Sequence, residues 1–526
     1  MRSVAARSAW DFPVRARSRT VDLTAAQRDR AVGAVIGMAT GDALGAGYEF
    51  QPPNPPDRIA MIGGGIGTFE PGEWTDDTTM AIPILEALAR GDDLLDPAVQ
   101  DWVAEQWVDW AGSPKDIGVT IGSVLGCAGD PVRAVDLSAA ARAMYVAGHR
   151  AAGNGSLMRT TPIVLGFLDD PQALTAAARA YSDITHGDPV AAEACVLWNH
   201  AQRHAVVHAE FDMTVGLSHL PSERQEVWRD HIRVAESGVP RDFRAHNGWV
   251  VAALQAAWSA IRGADDSGPE HFEMALRSAV AGGNDADTVA AIAGGLLGAR
   301  WGVSAIPLKW RRLLHGAPGS RTGQQLVQYS VAAVTGHRWP EMFNEGVRPG
   351  PPPVRHPYDE HVWLGDIFAL QSLPVEVDAV VSLCRIGTQQ GPNGIEAEDH
   401  IQVWLLDDPD PRANPHLDLV VRQTVDLIAD LRRAGKVVYL HCVQAHSRTP
   451  FIAAMYGAHV TGAAPGDVLP QVLAVLPGSS PNAGFLAYMH ALSRGMRENS
   501  QPTRVSRIDS FHPDRDARSS PASGEP

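Results

Sequence analysis

Gly346-Val347-Arg348-Pro349-Gly350-Pro351-Pro352-Pro353-Val354-Arg355-His356-Pro357 divides the 526-residue chain into two unlike halves. Proline removes backbone donors and fixes φ, so this stretch reads as a stiff, extended spacer. Before it, from about Thr24 to Gly336, alanine-rich runs recur with helical period and few β-branched alternations. That half is expected to be all-α. After it, strand-like runs at 379–384, 401–406 and 436–441 alternate with helical ones. The run 417–431 keeps Leu417, Val420, Val421, Leu427, Ile428 and Leu431 on one face and stops at Gly435, as a helix does. This half is expected to be α/β with a largely parallel sheet. The organisation is then a lead-in over 1–23, an all-α domain over 24–336, a Pro/Gly linker over 337–357, an α/β domain over 358–498 and a tail over 499–526. Lead-in and tail, rich in Arg or in Ser, Pro, Arg and Asp, read as disordered.

Composition bounds the function. With 45% hydrophobic and 20% charged residues the chain can fill more than one core. A formal charge of −16 without a basic stripe argues against nucleic acid as the main partner. The four cysteines, Cys127, Cys195, Cys384 and Cys442, lack paired spacing, which fits a reducing, cytoplasmic setting rather than a disulfide scaffold. Neither a membrane-spanning apolar run nor a secretory signal is recognisable, so no membrane partner is expected.

Near the end of the chain, His441-Cys442-Val443-Gln444-Ala445-His446-Ser447-Arg448 joins the buried strand-like run 436–441 to a helix-like run that has Pro450 in its first turn. Loop amides converging on a helix N-terminus attract an anion and favour a thiolate at Cys442, and Arg448 can grip two phosphate oxygens. The pattern resembles cysteine-dependent phosphatases of the dual-specificity and tyrosine type. The resemblance implies Cys442 as nucleophile, Arg448 as phosphate clamp, and Ser447 or Thr449 assisting thiolate departure. It also implies a general acid upstream, for which Asp407, Asp408 and Asp410 are candidates and Asp408 is preferred. Ala445 stands where that family has glycine, and a positive φ there would strain an alanine. The bland alternative is a buried structural cysteine.

Two acidic clusters in the helical half are alike: Trp74-Thr75-Asp76-Asp77-Thr78-Thr79 and Gly283-Asn284-Asp285-Ala286-Asp287-Thr288. Each precedes an apolar helical run, 80–90 and 289–300, and Gly294, Gly295 and Gly298 in the second would let another helix approach closely. Either cluster alone is what caps a helix. Together they offer hard oxygen ligands, and aspartates brought that close repel unless cations lie between them. Two Mg2+ ions, or Mn2+, suit such a set.

These clusters belong to a longer series in fixed order: Gly37-Met38-Ala39-Thr40-Gly41-Asp42-Ala43-Leu44-Gly45, Tyr48-Glu49-Phe50, Thr75-Asp76-Asp77, Asp116-Ile117-Gly118, Gly153-Asn154-Gly155-Ser156-Leu157-Met158-Arg159, Thr185-His186-Gly187 and Asp285-Ala286-Asp287-Thr288. The series resembles the ADP-ribosylglycohydrolase family over nearly the whole helical half. The resemblance implies that Thr75, Asp76, Asp77, Asp285, Asp287 and Thr288 ligate a two-metal centre that receives the distal ribose through its vicinal hydroxyls. Water activated there would be the nucleophile, with Asp285 or Asp287 as base and Glu49 near the scissile bond. Gly153, Asn154, Gly155 and Ser156, ahead of a helical-looking stretch from Met158, would offer amides to the diphosphate. Asp116, Gly118 and His186 would contact ribose or position the ligand. Trp102, Trp107 and Trp110 have the spacing of a helix face and read as core rather than as an adenine platform.

The chain therefore reads as a two-domain enzyme. On these resemblances its helical half is expected to hydrolyse the glycosidic bond between ADP-ribose and an acceptor on a protein or small molecule, and its α/β half to take a phosphorylated substrate. A phosphatase carrying a non-catalytic, ADP-ribose-binding helical half remains the alternative.

Overall fold

The computed structural model describes residues 21–149, 152–344 and 346–499; the readings of 1–20 as lead-in and of 500–526 as tail lie outside them. The centre of the helical half is a pair of helices, Ala25–Gly45 and Ala286–Trp301. Thr24 and Gln27 form a reciprocal capping box at the start of the first. From Ala31 to Gly45 that helix is buried on all sides, so its sequence shows no polar face. The two axes approach so closely that a β-carbon on Gly37 would stand 2.2 Å from the Gly294 carbonyl oxygen, and one on Gly45 2.3 Å from the Asp287 Cα. Only glycine permits either contact. Gly294 and Gly298 thus face the first helix as expected, whereas Gly295 faces Thr161 and Gln202.

Both acidic clusters start helices earlier than their apolar runs suggest. The first helix after Thr75 is Asp76–Arg90, closed by Gly91 in the left-handed region, and the second begins at Ala286. The carboxylates therefore sit within first helical turns, where the free amides and dipole favour negative charge. The Gly153–Met158 segment differs from expectation. Asn154–Ser156 is a single 3-10 turn, and the next helix is the short Ile163–Gly166 after Pro162. No helix starts at Met158, which is buried in the core and donates its amide to the Asn154 carbonyl.

The second half holds a five-stranded sheet in the order Val354–His356, Asp359–Asp366, Val438–Cys442, Ala379–Ser382, His400–Gln402. The first pair is antiparallel and the rest are parallel. Asp359–Asp366 escaped the sequence reading because its first three residues are polar and only its latter half is buried. The 401–406 run pairs at Ile401 and Gln402, and the Val403 amide still donates to the Ser382 carbonyl. Beyond it the Leu406 amide turns to the Asn414 side chain, which bends 405–407 out of the sheet. Both ends of the 337–357 segment are built into the structure rather than serving as a free spacer. Trp339 is buried with its Nε1 donating to the Ile386 carbonyl at 2.9 Å, because an indole offers too much apolar area to leave in solvent. Val354–His356 becomes the edge strand, where proline neighbours cost no ladder hydrogen bonds.

The halves pack on one another. The Trp301 and His416 rings lie 5.7 Å apart, and the Leu308 amide donates to Gln423 Oε1 at 3.1 Å. Among the described residues no helix is long and apolar enough to cross a membrane.

Candidate active site

The helix pairing brings the two acidic clusters together. Thr75 Oγ1 donates to Asp77 Oδ2 at 3.0 Å and reaches Asp287 Oδ2 at 3.5 Å, and Thr288 Oγ1 lies 3.4 Å from Asp77 Oδ2. Asp42, from the last turn of Ala25–Gly45, accepts the Thr75 and Thr78 amides at 2.9 Å each and so pins the start of Asp76–Arg90. Carboxylate oxygens of Asp42, Asp77 and Asp287 lie within 4.8 Å of one another, as do those of Glu49, Asp285 and Asp287. Glu49 follows the 3-10 turn Ala46–Tyr48 and is buried. The Phe50 amide next to it donates to the Asn284 carbonyl at 2.7 Å, which ties this flap to the second cluster.

Burial raises every carboxyl group here above its ordinary range, and repulsion adds to it for Glu49, Asp76, Asp77, Asp285 and Asp287. Burial, then the charges of Asp116, Asp285 and Asp76, pushes Glu49 up to about 8. Burial, then Asp116 and Asp42, pushes Asp76 up to about 8. Asp77 and Asp287 are raised well above the usual carboxylate range, and Asp42, Asp116 and Asp285 are raised as well, burial leading in each. Glu49 Oε2, Asp77 Oδ1 and Asp287 Oδ1 are buried without a hydrogen-bond partner. Orphaned, hard oxygen atoms converging from three segments fit divalent cations of the Mg2+ or Mn2+ type.

The segments expected at the ribose surround this cluster. The Gly118 amide donates to Asp76 Oδ2 at 3.2 Å, which holds 116–118 against the first cluster. Asn154 Nδ2 donates to Asp285 Oδ2 at 2.7 Å and to the Asn247 carbonyl at 2.9 Å. His186 is buried beside Gly153 and Gly155, where a β-carbon would meet its ring at 3.4 and 3.2 Å. Burial, then Arg159, lowers it to about 3, so its ring is neutral, with Nδ1 2.8 Å from Thr185 Oγ1. Ser156 turns inward, accepting from Ser182 Oγ at 3.0 Å. Met158 is in the core. Trp107 is core as expected, its Nε1 donating to the Met80 carbonyl at 2.8 Å and its ring under Arg159.

In the second half, Cys442 ends the strand Val438–Cys442 and Arg448 begins the helix Arg448–Thr461. His441, lowered by burial to about 3 and therefore neutral, places Nε2 2.6 Å from Ser382 Oγ. Ala445 has φ 53, so the left-handed conformation is present and an alanine bears it. Arg448 Nη1 donates to the Leu383 carbonyl at 2.7 Å. Of the three candidate acids, Asp407 meets the loop: its Oδ1 accepts from Ser447 Oγ at 2.6 Å, and its Oδ2 lies 3.6 Å from Arg448 Nε. Asp408, the preferred candidate on sequence, instead accepts the Asp410 amide at 2.8 Å and is exposed, because the bend after Leu406 turns it outward. Asp410 pairs with Arg412. Thr449 is buried, its Oγ1 3.5 Å from the Gly365 carbonyl.

A family model described as ADP-ribosylglycohydrolase matches residues 23–340. The chain belongs to the ADP-ribosylglycohydrolase family. It is 31% identical over 297 residues to the ADP-ribosyl-[dinitrogen reductase] glycohydrolase of Rhodospirillum rubrum, covering 54% of this chain and 89% of that protein. It is 31% identical over 314 residues to the ADP-ribosylarginine hydrolase Tri1 of Pseudomonas putida, covering 56% and 76%. In the other half, 90 residues, 17% of this chain, align at 29% identity with 46% of Arabidopsis thaliana dual specificity protein phosphatase 1. The helical half is thus a glycohydrolase acting on ADP-ribose linkages.

Two residues around this cluster were not singled out on sequence. Asp42 lies in the Gly37–Gly45 motif, and an aspartate after the apolar run 31–39 of a buried helix is a signal in itself. Asn247 orients both Asn154 and Asn284, the latter donating to Asn247 Oδ1 at 2.6 Å. An isolated Asn-Gly in a turn carries no mark of that role.

Proposed function

We propose that the acid cluster holds two divalent cations, Mg2+ or Mn2+, and hydrolyses the bond between ADP-ribose and a protein-borne acceptor. The observation carrying this is the pair of buried, partnerless carboxylate oxygens on Asp77 and Asp287. Left bare, such a set repels itself; cations between them offset the repulsion. The names of the relatives, one for dinitrogen reductase and one for ADP-ribosylarginine, support a protein-borne acceptor. Thr75, Asp76, Asp77, Asp285, Asp287 and Thr288 are the ligands in this reading.

Bound cations supply the positive charge that acidifies water and holds vicinal hydroxyls. The chain's own groups do the rest. Asp285, oriented by Asn154 Nδ2, takes the proton of the attacking water as its oxygen bonds to C1 of the ribose. The bond from C1 to the acceptor breaks, and Glu49, whose burial and acidic neighbours favour the protonated form, gives a proton to the departing atom. Asp116, Gly118 and the neutral His186 border the ribose, and Gly153 and Gly155 offer their backbone to the diphosphate, the Asn154 amide being held by the Gly248 carbonyl. Calorimetric titration with Mg2+ tests the centre: two ions bind the wild type, and Asp77→Ala and Asp287→Ala each lose binding. Unchanged binding in both variants would overturn it.

A second activity is favoured by Asp407 standing at Ser447 and Arg448. Cys442 Sγ attacks phosphorus, the ester P–O bond breaks, and Asp407 protonates the leaving oxygen. Water then cleaves the S–P bond, releasing phosphate and the thiolate, with Ser447 donating to the departing sulfur. Wild type should hydrolyse an aryl phosphate while Cys442→Ser does not; equal rates would remove this activity.

A further inference from the structure

The carboxyl ends of three parallel strands open onto one cavity of about 1110 Å³. Cys384 and Arg385 follow Ala379–Ser382, Trp404 and Leu405 follow His400–Gln402, and Val443 follows Val438–Cys442; all line it, as does Arg448. Open α/β sheets bind ligands at this edge. The facing wall, however, comes from outside the α/β half. Arg312, Leu313 and His315 contribute, together with Gln324 and Gln328 of the helix Gly323–Thr335. Trp339 and Asn344 close one end.

The two walls are tied together. Arg311 Nη2 donates to the Gln402 carbonyl at 2.8 Å and Arg312 Nη1 to the Glu398 carbonyl at 3.2 Å. The Thr388 and Gln389 amides donate to the Pro340 and Glu341 carbonyls at 3.2 and 3.0 Å. A phosphoryl group reaching Arg448 from this side must therefore arrive on a molecule that fits between the halves.

The cavity is rich in donors. Trp404 Nε1 and Asn344 Nδ2 are buried without a hydrogen-bond acceptor, as is Arg448 Nε apart from its ion pair with Asp407 at 3.6 Å, and all three residues line it. Native proteins leave few such groups, because each costs its full desolvation. Three around one cavity ask for a ligand dense in acceptors. The Arg385 guanidinium lies over the Trp339 and Trp404 rings at 5.8 and 5.9 Å, which places positive charge where the halves meet. Five arginines line the space against three glutamates.

We propose that this cavity is a composite site for an elongated small molecule carrying two phosphates. One phosphate sits at Arg448, where the loop meets the cavity, and the other against the Arg312 wall of the helical half. A phosphoprotein is not its ligand. The proposal rests on 442–448 being a phosphate-binding loop.

The test uses the full chain and adenosine 3′,5′-bisphosphate as probe. Its binding to Cys442→Ser is measured by calorimetry, alone and combined with Arg312→Glu, which reverses the wall's charge, or Gln324→Trp, which fills the space. Each addition should weaken binding at least about tenfold, while hydrolysis of para-nitrophenyl phosphate, which occupies only the loop, stays within about twofold when the same changes are made in the wild type. A phosphotyrosyl peptide should bind more weakly than the bisphosphate. No binding of the bisphosphate, affinity unaltered by both wall variants, or tighter binding of the peptide would overturn the composite site. Failure of wild type to hydrolyse the aryl phosphate would sink only the catalytic reading of the loop, since the binding comparison still decides the cavity.

Discussion

Gly45 lies flat against Asp287: a β-carbon on the glycine would stand 2.3 Å from the Asp287 Cα. This contact sets the end of one central helix on the start of the other and brings Asp42 and Asp287 into one carboxylate group. Gly45→Ala therefore acts on packing and site together. It should lower stability by about 1–3 kcal/mol in urea unfolding and weaken Mg2+ binding. An alanine variant as stable as the wild type would contradict the close-packing account.

Asn154 Nδ2 holds Asp285 at 2.7 Å while Asn247 holds Asn154. Outer partners of this kind orient the groups that do the chemistry. Asn154→Ala should reduce the rate of ADP-ribose release about 10–100-fold with the fold intact by circular dichroism. A rate within experimental error of wild type would show that Asp285 needs no such partner.

Asp29 gives a pH signature away from the site. It accepts the Ser304 amide at 3.0 Å beneath Gly302, and burial raises it from 3.8 to about 6 against the lowering by Ser304 and Arg311. The folded chain thus holds a proton that the unfolded chain has already released. The stability this contributes is complete below the unfolded value and is lost as pH rises through about 6, a loss on the order of 3 kcal/mol. Asn cannot titrate, so Asp29→Asn should gain stability relative to wild type between about pH 4 and pH 7 and then run parallel to it. Urea midpoints that stay parallel throughout would refute the shift.

The all-α half, the largely parallel sheet and the meeting of Thr75–Asp77 with Asp285–Thr288 were legible in the sequence. Helical period, glycine spacing and paired acidic helix starts are local patterns with few physical alternatives. What could not be read depended on which way a turn, a strand or a side chain faces, which residue types alone do not show. Asp407 and Asp408 are adjacent and chemically identical, and only the turn of Leu406 onto Asn414 decides which one faces Ser447. Met158 carries no polar atom that could signal a ligand, and its burial follows from neighbours elsewhere in the chain. The strand Val354–His356 was hidden because its partner begins with polar residues.

Ala445 at φ 53 stores strain that glycine would not. Ala445→Gly should raise stability by about 0.5–1 kcal/mol, and Ala445→Val, whose β-branched side chain tolerates this region worst, should lower it by at least about 1 kcal/mol. Thermal unfolding of the three proteins checks the order. A glycine variant less stable than wild type would indicate that the loop's conformation carries no such cost.

The most direct test of the central claim is release of ADP-ribose from ADP-ribosylated arginine and serine peptides, measured with Mg2+ and with excess chelator, for wild type, Asp77→Ala and Asp285→Ala. The two-cation glycohydrolase account predicts release by wild type on at least one acceptor, abolished by chelator and lowered by about 10³-fold or more in each variant. Release that persists in chelator and survives both substitutions would contradict it.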